Sequence, residues 1–85
     1  MDDHFVAEKI FYVLGLSIIV RDSTIADALK YLTGNKRDII LLSSFLDMFN
    51  REIGDKLNML RAKVQYQRKS TLRQLKKLME EVANE

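Results

Sequence analysis

IFYVLGLSIIV, residues 10–20, is an eleven-residue apolar run near the start of an 85-residue chain, and how it is read decides the fold class. Phe5, Val6, Ile10, Val13, Leu14 and Ser17 recur at helical spacing, Asp2 or Asp3 supplies a cap, and Gly15 permits close approach of a neighbour. Three β-branched residues in succession, Ile18, Ile19 and Val20, offer a rival reading in which the helix stops near Gly15 and a short extended piece succeeds it. The helical reading is preferred, giving a first helix over about residues 3–20. Eleven residues fall well short of the roughly 20 needed to span a bilayer, and Glu8 and Lys9 interrupt the run on one side.

Outward from this run, residues 21–24 (RDST) form a polar break, and Thr24 with Asp27 three positions on resembles a helix cap. A second helix over residues 24–33 then holds Ile25, Ala28, Leu29 and Leu32 on one side and stops at Gly34, with Asn35 capping the next helix. From residue 36 the only helix breaker is Gly54, and the chain has no Pro at all. Apolar residues recur at Ile39, Leu42, Leu46, Phe49, Ile53, Leu57, Leu60, Val64, Leu75, Leu78, Met79 and Val82, which predicts one long helix. Residues 50–55 (NREIGD) and 65–71 (QYQRKST) are its two candidate hinges, but continuity is preferred at both.

The expected architecture is therefore all-α: two shorter helices packed on a long C-terminal helix. Residues 1–55 form the helical core, including the start of the long helix at 36–54. Residues 56–85 form a basic amphipathic arm continuous with it. A helix over residues 36–83 would extend about 70 Å, so something must cover its stripe. With no Cys to form disulfides or a zinc site, self-association is the expected staple, in a homo-oligomeric helical bundle or coiled-coil dimer. Ile53, Leu57, Leu60, Val64, Leu75, Leu78, Met79 and Val82 would make the interface between copies.

The formal net charge of +2 conceals a division. Residues 1–55 carry six basic and nine acidic side chains, for −3, and residues 56–85 carry eight basic and three acidic, for +5. Between residues 56 and 79 there is no Asp or Glu, which concentrates positive field where phosphates would meet no opposing carboxylate. Arg61, Lys63, Arg68, Lys69, Arg73, Lys76 and Lys77 are the expected phosphate contacts, placed beside the apolar stripe, with Tyr66 as a ring able to stack on a base.

Catalysis finds little support. His4 is the only histidine and lies beside Asp2 and Asp3 at the chain end; Ser17, Ser43, Ser44, Ser70 and Thr71 have no base to activate them. The three glycines stand too far apart for a phosphate-cradling loop, although free N–H groups and two cations coincide at residues 35–37. No catalytic, cofactor or metal site and no small-molecule substrate is expected. The favoured function is a non-enzymatic nucleic-acid-binding regulatory or accessory protein. The alternative is an adaptor or inhibitor that binds another protein through the stripe or the basic face. A membrane-surface role is disfavoured. An acidic start, Met-Asp-Asp-His, is unlike a secretory leader, so an intracellular place is expected, whether cytoplasmic, nuclear or nucleoid, or in a virus-encoded product.

Overall fold

The computed structural model describes residues 9–83, so residues 3–8 of the expected first helix, with His4, Phe5 and Val6, lie outside the described residues. The remainder of that stretch is not helix. Strands β1 (Lys9–Val13) and β2 (Leu16–Val20) pair antiparallel in a two-stranded sheet, in the register Lys9 to Val20, Phe11 to Ile18 and Val13 to Leu16. The all-α expectation is thereby corrected to a mixed α/β fold, 68% helical and 14% strand among the described residues. Leu14 and Gly15 form the two-residue turn with φ of 54° and 77°. Positive φ at both central positions is the twist that a right-handed hairpin requires. The run misleads because it is apolar throughout and so satisfies helical and strand periods alike. Its aromatic and β-branched content decides for the strand.

Phe11, Val13, Ile18 and Val20 turn inward, the last three buried and Phe11 half-buried beneath the Arg37 guanidinium, 5.7 Å from its ring centroid. Helix α1 (Ser23–Lys30) starts at Asp22 rather than Thr24: Asp22 Oδ1 accepts from the backbone N–H groups of Thr24 at 2.9 Å and Ile25 at 3.1 Å. These bonds satisfy two donors that a helix start otherwise leaves open. Helix α2 (Gly34–Ile40) continues into a π-helical turn, Leu41–Phe45. Ile39, Ile40, Leu41 and Leu42 are buried together with Leu29 and Leu32, forming the centre of the core.

The expected continuous helix is broken twice. The first break comes after the π-turn, where Asp47 takes a φ of 57° and the Met48 N–H reaches back to the Leu42 carbonyl at 3.0 Å. The second separates α3 (Asn50–Leu57) from α4 (Arg61–Ala83) at Asn58, φ 58°. Asp and Asn tolerate the left-handed region better than other side chains, so these residues end helices where no Pro does. The Asn58 and Met59 N–H groups both donate to the Gly54 carbonyl, the latter at 2.8 Å. The hinge favoured by polarity, residues 65–71, lies within unbroken α4. Folding back allows α4 to pack against α1, α2 and α3, and the longest dimension is 46 Å rather than the extended helix's 70 Å.

Candidate nucleic-acid interface

Helix α4 buries a stripe and exposes the rest. Val64, Thr71 and Leu75 are buried, and Gln67, Arg68, Leu78, Met79 and Val82 are half-buried along the same line. The covering is supplied by the chain's own α1, α2 and α3. Of the residues expected between copies, Ile53, Val64 and Leu75 are thus core residues of one chain, and Leu57 is half-buried; Leu60, 79% exposed, retains most of its surface.

Advancing about 100° per residue, Tyr66, Lys69, Arg73, Lys76 and Lys77 fall in a sector roughly 100° wide, centred opposite the buried stripe. All five are exposed, Tyr66 at 71%. These cations therefore do not lie beside the stripe, as was expected of the whole basic set, but across the helix from it, and only Arg61 and Arg68 flank it. Tyr66 to Lys77 covers about 17 Å of helix axis at 1.5 Å per residue. Lys63 is exposed at the margin of this sector and Arg61 at the first residue of the helix. Among the described residues, no ion pair is formed by Lys69, Arg73, Lys76 or Lys77; Lys30 with Asp27 at 3.4 Å shows the kind of pairing they lack.

Arg68 is set apart from the other cations. Its Nη1 donates to Asn50 Oδ1 at 3.2 Å, tying α4 to the first residue of α3. Beside this contact lies an open groove of about 300 Å³ lined by Asn50, Gln65, Arg68, Lys69 and Leu72. Asn50, Gln65 and Leu72 carried no signal of a site in the sequence, because only the fold-back after Asn58 brings α3 alongside α4. The groove offers two cations, two amides and a partly exposed apolar side chain, a set able to hold a phosphate with a neighbouring ring or sugar.

Elsewhere the fold removes competing surfaces. The pair α1 and α2 is joined across Gly34 like a helix-turn-helix, yet Ile39 and Ile40 of the second helix are fully buried and cannot enter a groove of DNA. Lys36 and Arg37 remain at its start, with Arg37 engaged over Phe11. Among the described residues, no group of three or more His, Asp or Glu side chains is placed to hold a metal, and no helix is long and apolar enough to cross a membrane. Comparison with protein families, with curated proteins and with solved structures finds no match to this chain.

Proposed function

We propose that the protein is a small non-enzymatic nucleic-acid-binding regulatory or accessory protein that works inside the cell and uses the solvent face of α4 as its contact surface. One observation carries this reading: Lys69, Arg73, Lys76 and Lys77 share the exposed face of one helix, with Tyr66 beside them and no carboxylate within residues 56–79, and Glu80, one turn beyond Lys76 and Lys77, closes that face at its C-terminal end. Phosphates lose affinity wherever a carboxylate stands nearby, so the face suits a polyanion best from Tyr66 to Arg73 and less toward Glu80. The opposite face is locked against the core, which holds the cations in one orientation. The same packing weakens two rival readings: a helix lying in a membrane surface, or an adaptor gripping a partner through the stripe, needs the apolar face that α1 and α2 already cover.

The test is a titration of a labelled duplex and a labelled single strand at two salt concentrations. Four phosphate contacts give a slope of log K against log salt of about −3.6 for duplex. Replacing Lys69, Arg73 and Lys77 together by Glu is expected to abolish binding without loss of helix content, since all three are exposed. Binding that survives this change, or absence of binding even at low salt, refutes the proposal. Arg68→Gln serves as the contrast: it touches Asn50 and should change stability as well as binding.

A further inference from the structure

The groove between α3 and α4 differs in chemistry from the charged face beside it. Its lining of Asn50, Gln65, Arg68, Lys69 and Leu72 sets two amides and an apolar side chain among two cations. Asn50 Oδ1 accepts from Arg68 Nη1 at 3.2 Å, and the two side chains carry several more N–H donors than this one contact uses. Gln65 is exposed and offers a carbonyl oxygen beside an N–H donor, and Leu72 is 41% exposed. A phosphate has use for the donors and cations of this set, but none for the Gln65 carbonyl or the Leu72 side chain. A nucleobase has use for all of them, since its edge carries donors and acceptors together and its ring presents a flat apolar face. The groove also lies in the half of α4 farther from Glu80, where a neighbouring phosphate meets no carboxylate.

We infer that this groove receives an unpaired base and that the protein accordingly prefers single-stranded nucleic acid to duplex, an inference that rests on the nucleic-acid reading of α4 and narrows it. The groove measures about 300 Å³, at the small end of ligand sites, which suits one base with part of its sugar. Base edges in a duplex lie at the floor of a major groove about 12 Å wide, which one helix with its side chains already fills. Here α3 runs beside α4 and is tied to it through Asn50 and Arg68, so the pair is too wide to enter, and a duplex meets only the outward-facing cations. Lys69 joins the two surfaces, since it lines the groove and also belongs to the outward group, with the exposed ring of Tyr66 one turn before it. At about 100° and 1.5 Å per residue, Tyr66 and Leu72 stand on the order of 10–15 Å apart around α4. A strand with one base in the groove, a phosphate on Lys69 and a second base stacked on Tyr66 follows this path. It needs bases splayed out of a stack, which a single strand supplies and a duplex does not.

The test compares the affinity of the full chain for a labelled DNA strand of about a dozen nucleotides with that for its blunt duplex, at one salt concentration. Charge alone favours the duplex, whose phosphates are the more densely spaced, so the sign of the preference is informative. The single strand is expected to bind about tenfold tighter. Gln65→Ala with Leu72→Ser removes no charge and alters two exposed side chains. It is expected to weaken single-strand binding about tenfold and duplex binding less than about twofold. The chain has no Trp, so Leu72→Trp gives a second readout. Its emission is expected to be quenched by stacking when single strand is added, whereas that of Leu60→Trp, about 18 Å away along the helix direction, is not. Duplex bound as tightly as single strand, a double variant that weakens both equally, or Leu72→Trp emission that does not respond overturns the inference and leaves the charged face of α4 as the contact. Absence of binding to either form of DNA overturns it together with the reading on which it rests.

Discussion

Gly54→Ala tests the fold-back of α4 because its sign depends on the architecture. In one uninterrupted helix from residue 36 to 83, Gly54 would sit mid-helix, and Ala would stabilise the protein by about 1 kcal/mol through helix propensity alone. In the observed structure a Cβ at position 54 would stand 2.6 Å from the Met59 carbonyl oxygen, against 3.4 Å for an ordinary contact, so 0.8 Å must be found. The obstructing atom is backbone, held by the Met59 N–H bond to the Gly54 carbonyl at 2.8 Å, and cannot rotate aside. Overpacking of this kind costs roughly 1–3 kcal/mol, and weakening that hydrogen bond adds about 1 kcal/mol. Set against the propensity gain, the net effect is a destabilisation of about 1–3 kcal/mol. For a domain of this size that lowers the melting temperature by about 5–15 °C. Thermal and urea unfolding followed by far-UV circular dichroism measures it. A variant more stable than wild type would refute the break between α3 and α4.

Other positions give three more tests. Thr71 is buried with its Oγ1 facing no protein partner, so Thr71→Val is expected to stabilise the fold by about 1 kcal/mol in urea unfolding; a loss would mean that the hydroxyl is paired. Asn58, at φ 58°, should tolerate Gly with little change or a gain of a few tenths of a kcal/mol, whereas Ala should cost about 1 kcal/mol, and equal stabilities would contradict the left-handed cap. Burial raises the Asp38 carboxyl above its ordinary value, against an opposing pull from Arg37. The protonated form is thus favoured on folding: its contribution is complete at acid pH and lost as pH rises through the folded value. Asp38→Asn should therefore gain stability relative to wild type at pH near 7 and little or none at pH near 3; a gain of the same size at both would argue against ionisation as the cause.

Parts of this architecture were legible in the sequence for clear physical reasons. The stripe through Ile53, Val64 and Leu75 announced burial because apolar side chains at helical spacing require a cover. It could not announce what the cover was, and a second chain and the chain's own α1 and α2 satisfy that requirement equally. The fold-back itself depends on Asp47 and Asn58 adopting left-handed backbone, and since either type also occurs on polar helix faces, neither alone marks an end. The hairpin was obscured by its own composition. A polar outer face would have alternated and revealed the strand, and an Asn-Gly turn would have marked the hairpin, but the turn is Leu14-Gly15 and the outer face is apolar. The basic segment was visible as a segment, and its placement was legible too, since stepping 100° per residue already sets Lys69, Arg73, Lys76 and Lys77 opposite Val64 and Leu75. Arg61 and Arg68 flank the stripe and drew the average toward it, and only the contact of Arg68 with Asn50 separates that residue from the outward-facing group.

Once the stripe belongs to the core, the apolar and the basic surfaces of this chain are no longer two faces of one arm. Apolar side chains are left exposed on the hairpin at Ile10, Tyr12, Leu14, Leu16 and Ile19 and again at Phe49 and Leu60, and the cations without an ion pair among the described residues are most numerous on α4, with α1 in contact with both β2 and α4. An amphipathic basic arm would confound the two properties, since any change to its stripe would alter the presentation of its cations. Here they can be separated. Charge reversal at Lys69, Arg73 and Lys77 should leave the fold of the protein unchanged, and changes at Tyr12 and Ile19 should leave the exposed cations of α4 in place. The elements before α4 supply the cover for its stripe, and α4 supplies the exposed charge.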